Sequence, residues 1–244
     1  MPYPSRGSSL TNHNVKRFKL LYICQIFNAM NVLLVAATAL EIRPFLDHFR
    51  QNGFEKHEVD VLITGPGLMA ATHSLTGQLA IKKPQLVIQS GIAGCFNKKL
   101  VLGSVVAVKQ EVVADEGVVE AKKFKTLFDL KLVKENQFPW KKGWLINPDV
   151  GKLIKGLGLK AVNGITINQI TTDPRQIKEY ISRYKAVVES MEGAAVHYVC
   201  LQSAIPFLQL RGISNYIGER DKSKWDFRNS IGNLNKAIIK LLEK

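Results

Sequence analysis

The chain has 244 residues, 46% hydrophobic and 22% charged, with a formal net charge of +14. This excludes a disordered polyelectrolyte and is long enough to bury a full core in one domain. The basic residues are spread in small groups, at Lys98–Lys99, Lys122–Lys125 and Lys141–Lys142, rather than in the one-sided basic stripe of a nucleic-acid binder, so they read as a solubilising surface compatible with an anionic small substrate.

The first 29 residues are polar and basic, then apolar from Leu20 to Phe27. With Asn31–Ala39 they imitate a secretion signal, including an Ala-x-Ala at Ala37–Ala39. Cleavage there would delete the strand Asn31–Ala37, so residues 1–29 are read instead as an extension ahead of a domain starting at Met30. From there apolar strands alternate with amphipathic helices. A helix is expected over Leu40–Asn52, a strand over Val59–Thr64, a tight turn at Gly65–Gly67 and a helix over Leu68–Ile81. Leu86–Gln89 is expected as a strand ending in a glycine loop, Ser90–Gly94. Val101–Val113 reads as a bent strand, and 114–150 as irregular. Lys160–Ile170 resumes as a strand and Asp173–Tyr184 as a helix. Val187–Val199 passes from strand to helix, Pro206–Ile213 is a buried strand, and Ser230–Leu242 is a closing helix. The alternation predicts one α/β domain with a twisted, mostly parallel sheet flanked by helices.

Ligands of such sheets sit beyond the carboxyl ends of the strands, which singles out Glu41, Ser90–Gly94, Met191–Glu192 and Ser214–Asn215. Neither a phosphate-binding loop nor a dinucleotide fingerprint is present, and no Gly-x-Ser-x-Gly elbow occurs. Cys24, Cys95 and Cys200 have no paired spacing, and the five histidines form no i, i+4 pair, so no metal or disulfide is expected. The thiols are read as reduced and the protein as cytoplasmic, with no nucleic-acid or membrane partner. Two carboxylates at strand ends can act as a general base on water and as a grip on a ribose diol. The plainer alternative is that both are first-turn helix acids favoured by the helix dipole.

The local motifs decide between these. Val188-Glu-Ser-Met-Glu-Gly-Ala-Ala195, Ile205-Pro-Phe-Leu-Gln-Leu-Arg-Gly-Ile-Ser-Asn215, Gln89-Ser-Gly-Ile-Ala-Gly94 and Met30–Glu41 occur in one order, and together resemble the purine nucleoside phosphorylase and nucleosidase superfamily across Met30–Lys244. The resemblance implies the nucleoside phosphorylase-like fold, no cofactor, and a homodimer or larger homo-oligomer. It implies that Glu192 binds the ribose hydroxyls, that Met191 packs on the sugar, and that Glu41 deprotonates the attacking water. Ile92, Ala93 and Gly94 would lie against the sugar or water, Ile92 standing where some nucleosidases have serine.

Asn215 stands where adenine-specific relatives carry an aspartate that protonates N7. A carboxamide offers both a donor and an acceptor, which suits a 6-oxopurine, with Ser214 orienting it. The phosphate-holding Gly-Asp-Pro-x-Arg loop of the phosphorylases is replaced by Ala36–Glu41, and their arginine near the glycine loop by Gln89–Ser90, which favours water as nucleophile. Arg211–Trp225, Val113–Gly117 and Val162–Thr166 resemble the futalosine hydrolase branch of the alternative menaquinone route, whose substrate joins hypoxanthine to a ribose with an anionic 5′ arm. Arg220 or a nearby lysine would pair with that carboxylate and Trp225 pack on its ring, or Arg220, Asp221 and Trp225 tie a surface loop. A methylthioadenosine/S-adenosylhomocysteine nucleosidase and a non-catalytic nucleoside- or nucleic-acid-binding protein are the alternatives.

Overall fold

The computed structural model describes residues 29–244. The expected extension therefore lies outside the described residues except for Ala29, and strand β1 opens at Met30.

β1 (Met30–Ala36) is apolar on both faces, as a parallel strand covered by helices must be. Val32, Leu34 and Ala36 pack with Phe45 of α1 (Arg43–Asn52) and with Leu234, Ile238 and Leu242 of α6 (Phe227–Leu242). On the opposite face, Leu33 and Val35 meet Leu75 and Leu79 of α2 (Leu68–Ile81) and Val196 and Val199 of α5 (Gly193–Gln202).

The other strands are β2 (His57–Ile63), β3 (Leu86–Cys95), β4 (Val105–Glu111), a β5–β6 hairpin (Gly117–Glu120, Lys123–Thr126), β7 (Leu145–Ile146), β8 (Lys160–Thr166), β9 (Val188–Ser190) and β10 (Phe207–Tyr216). α3 (Val150–Leu153) follows β7, and α4 (Pro174–Tyr184) joins β8 to β9. The main sheet runs β10-β4-β8-β9-β3-β1-β2, and β10 also pairs with β3. Five strands thus close on themselves, while β1 and β2 extend from β3 as a parallel wing. The sheet is mixed, because β4 runs antiparallel to β10 and β9 antiparallel to β3.

β3 changes neighbour halfway. Leu86–Gln89 pair with β1, whereas Gly94 and Cys95 pair with β9. On that side the segment between has no strand partner among the described residues, and a crevice opens there, as expected where sheet neighbours diverge.

Several expected boundaries move. The glycine segment Ser90–Gly94 is strand rather than loop, because its far edge is paired continuously with β10. β10 likewise runs to Tyr216, so Ser214 and Asn215 lie within it. The strand expected over Val101–Val113 is shortened to Val105–Glu111, and that over Lys160–Ile170 ends at Thr166. The helix expected from Leu40 begins at Arg43, where Pro44 fits the first turn, having no N–H to leave unpaired. Glu41 therefore stands in the turn before the helix and not in its first turn.

Candidate active site

All ten expected site residues line one cavity of about 200 Å³: Glu41, Ile92, Ala93, Gly94, Met191, Glu192, Ser214, Asn215, Arg220 and Trp225. They reach it from four separate parts of the chain.

Glu41 is held from two sides. Its Oε2 accepts from the Thr38 backbone N–H at 3.0 Å and the Thr38 hydroxyl at 3.1 Å, the arrangement a Thr-x-x-Glu sequence favours. Its Oε1 accepts at 3.1 Å from Ile92 N, in the half of β3 that β1 has left and β9 has not reached. From below, Asn235 of α6 donates to Glu41 O at 2.9 Å and accepts from Phe45 N at 3.1 Å. The carboxylate thus bridges the end of the parallel wing and the open stretch of β3.

Glu192 caps the opposite wall, between β9 and α5, and is 7% exposed. Its Oε1 accepts from Gly67 N at 2.9 Å, and Arg211 Nη1 lies 3.9 Å from its Oε2. Gly65–Gly67, read as a turn alone, therefore also anchors this carboxylate, using positive φ at Gly67. Arg211 is almost fully buried, with Nη1 also 3.5 Å from Ile92 O. A side chain at Gly91 would strike the Arg211 guanidinium and approach Glu41 Oε1 to 3.1 Å, so a glycine there lets the guanidinium pass between the two carboxylates.

Asn215 is placed by an irregularity. The β3–β10 register pairs Ile213 with Ala93 and Asn215 with Gly94, skipping Ser214. In a regular strand Asn215 would share the face of Ile213; the bulge turns it onto the face of Gly94. Ser214 Oγ donates to Asn215 Oδ1 at 2.9 Å, and Asn215 Nδ2 donates to Tyr216 O at 3.2 Å. One Nδ2 hydrogen remains for a ligand.

Arg220 and Trp225 fit both of their readings. The Arg220 guanidinium lies 5.8 Å from the Trp225 ring centre, and Trp225 Nε1 donates to Glu219 O at 3.3 Å, tying the loop while both side chains line the cavity. Among the described residues, no group of three or more His, Cys, Asp or Glu could hold a metal ion, and no helix is long and apolar enough to cross a membrane.

Sequence reading missed a polar cluster behind the cavity. Glu111 is fully buried and accepts from Gln209 Nε2 at 2.9 Å and Thr166 Oγ1 at 3.1 Å. Gly164 and Gly193 give it room, since a Cβ on either would collide with its carboxylate. The signal was a charge ending an apolar strand, just as Arg211 interrupts Leu208–Ile213 and Glu189 interrupts β9. His197 is buried beside it and does not line the cavity; its Nδ1 is 2.9 Å from Leu145 O, and burial pulls the ring down to about 4.

Burial pushes the Glu111 carboxyl up to about 7, with Gln209, Arg211 and Thr166 offsetting part of the shift and Glu192 adding to it. Between the unfolded value of 4.5 and about 7, the folded chain keeps a proton that the unfolded chain has lost. This group's contribution to stability therefore falls as pH rises through that window. Glu111→Gln is expected to gain stability relative to the wild type between pH 5 and pH 8, measured by denaturant unfolding. A difference independent of pH would contradict the assignment.

The phosphorylase superfamily matches residues 32–244. A futalosine hydrolase of Thermus thermophilus is 31% identical over 218 residues, covering 86% of this chain and 94% of the relative. A 5′-methylthioadenosine/S-adenosylhomocysteine nucleosidase of Shewanella halifaxensis is 28% identical over 171 residues, covering 64% of this chain and 68% of the relative. The native structure of futalosine hydrolase from Helicobacter pylori superposes with a TM-score of 0.73 at 20% identity, over 87% of this chain and 97% of that one. The last of these speaks for the fold alone. On the family match and the Thermus relative, the chain belongs to the phosphorylase superfamily and, within it, to the futalosine hydrolases.

Proposed function

We propose that this chain hydrolyses the N-glycosidic bond of futalosine, releasing hypoxanthine, with Glu41, Glu192 and Asn215 as its working groups. The observation that carries the reading is that two anchored carboxylates face one cavity, which the Asn215 amide of β10 also lines.

Glu41 takes a proton from water as the water oxygen bonds to C1′. The C1′–N9 bond breaks through an oxocarbenium-like state, and the purine leaves with the electron pair. Glu192 accepts from the ribose hydroxyls with the capacity that Gly67 leaves free, orienting the sugar. Asn215 donates to the leaving base and Ser214 fixes the amide that does so. The base takes its proton from solvent, since an amide has none to give. Met191, Ile92, Ala93 and Gly94 supply the apolar and backbone wall against the sugar.

The reading favours hydrolysis over phosphorolysis because the buried Arg211 faces Glu192 and Ile92 O, and the one cation among the described residues that line the cavity, Arg220, lies at the Trp225 end. Arg220 and Trp225 instead suit the anionic aryl 5′ arm. A second copy of the chain is part of the same reading, supported by Met69 and Ile81 standing exposed on α2, the helix whose N-terminal glycine holds Glu192.

The test is product analysis with and without inorganic phosphate. Equal rates and a free reducing sugar are expected in both; a phosphate requirement and a sugar 1-phosphate would overturn hydrolysis.

A further inference from the structure

Two segments of the chain, Val113–Gly117 and Val162–Thr166, have no part in the mechanism above, and they meet at one residue. Thr166 ends β8, is fully buried and does not line the cavity. Its N–H donates to Val112 O at 2.8 Å, and its carbonyl accepts from Ala114 N at 2.9 Å. With the backbone held on that side, the hydroxyl is left to face the interior. It donates to Glu111 Oε2 at 3.1 Å and accepts from Ala194 N at 2.7 Å.

Ala194 lies in the first turn of α5, two residues past Glu192. The first N–H groups of a helix have no partner inside it, and the residue at the position of Glu192 commonly supplies one with its own side chain. Glu192 makes no such bond. Its Oε1 reaches Gly67 N instead, and the donors of the turn are satisfied from outside, Ala194 N by Thr166 and Gly193 N by Ser190 Oγ at 3.3 Å. A carboxylate folded back onto its own helix could not face the cavity. The cap is borrowed from neighbouring strands, and the glutamate stays free.

Glu111 sets the sense of the borrowed cap. A hydroxyl has one proton to donate. With a carboxylate oxygen accepting it, the Thr166 proton points to Glu111 and a lone pair is left for Ala194 N. Gln209 of β10 holds the carboxylate from its other side, donating to Oε1 at 2.9 Å. Gly193 lets the start of α5 lie directly against this group, since a Cβ there would strike Glu111 Oε1. The ends of β4 and β8 thus fix the turn that carries Glu192.

We propose that Thr166 is a positioning residue for the hydrolysis: oriented by Glu111, its hydroxyl caps α5 in place of Glu192 and so fixes the Glu192 carboxylate toward the ribose diol. This rests on the reading of Glu192 as the diol-binding group, and deepens it by naming what keeps that carboxylate available.

The experiment compares kcat/KM for futalosine and for its 2′-deoxy analogue on wild type, Thr166→Val, Thr166→Ala and Thr166→Ser, with a thermal melt of each. Thr166→Val keeps the shape and removes the hydroxyl. It should lower kcat/KM for futalosine about tenfold, the size of one hydrogen bond, and leave that for the 2′-deoxy analogue within about twofold. Thr166→Ala should do the same, and decides the matter if valine prevents folding. Thr166→Ser restores the hydroxyl and should bring futalosine turnover back to within about threefold of wild type. Loss of any buried hydroxyl can lower the melting temperature, so the ratio between the two substrates is the readout. Equal losses on both substrates, no loss on either, or a serine variant as impaired as the valine one would overturn the positioning role while leaving Glu192 as the diol group. If wild type turns over both substrates equally, the diol reading of Glu192 falls and this proposal with it.

Discussion

Glu41→Gln is expected to lower kcat by about 10²–10⁴-fold, the usual contribution of a positioned general base. The amide keeps nearly the size of the carboxylate but cannot take the proton of water. It also brings an NH₂ toward Thr38 or Ile92, where the carboxylate now accepts from backbone N–H groups on both sides. Some loosening of the turn is therefore expected beside the chemical defect. The substrate's sugar and base contacts lie elsewhere, so KM should change little and the loss should fall on kcat. Steady-state kinetics with a thermal melt separates the two effects. Near-wild-type kcat in a folded variant would remove Glu41 from the mechanism.

Replacing Glu192 is expected to damage both binding and fold, by separable amounts. Glu192→Ala leaves Arg211 buried without the carboxylate beside it, and removal of one partner from a buried pair destabilises by about 3–5 kcal/mol. Glu192→Gln keeps an acceptor for Gly67 N and is the better probe of catalysis. With charge-assisted bonds to the two ribose hydroxyls weakened, kcat/KM should fall by about 10²-fold or more. The control is a substrate lacking the 2′-hydroxyl. Wild type should lose activity on it, and Glu192→Gln should lose much less further, because the contact is already gone. Equal additional losses in both proteins would show that Glu192 does not hold the diol.

The sequence exposed those parts of the site that lie in contiguous words. Glu41 and Glu192 could be found because each follows an apolar strand, and Asn215 because it ends the Ile205–Asn215 motif. What stayed hidden depends on pairing between distant strands. The facing of Asn215 rests on its pairing with Gly94 of β3 and on a bulge at Ser214 that no residue type announces. The glycine segment looked like a loop because Ser90, Gly91 and Gly94 have weak strand preference, yet pairing with β10 overrides local propensity. Arg211 and Glu111 could have been flagged as charges in apolar strands, but their partners come from elements far away in the chain. The early start given to the first helix has a similar origin: the Thr38–Glu41 turn uses helix-like capping chemistry one turn ahead of the helix.

The most direct test of the account is release of free base by the purified protein in phosphate-free buffer, given futalosine, methylthioadenosine and inosine in parallel. Hypoxanthine released from futalosine far faster than from inosine, with methylthioadenosine untouched, is the predicted result. Adenine released from methylthioadenosine while futalosine persists would contradict it, leaving the fold and the hydrolytic pair in place but reversing the reading of Asn215.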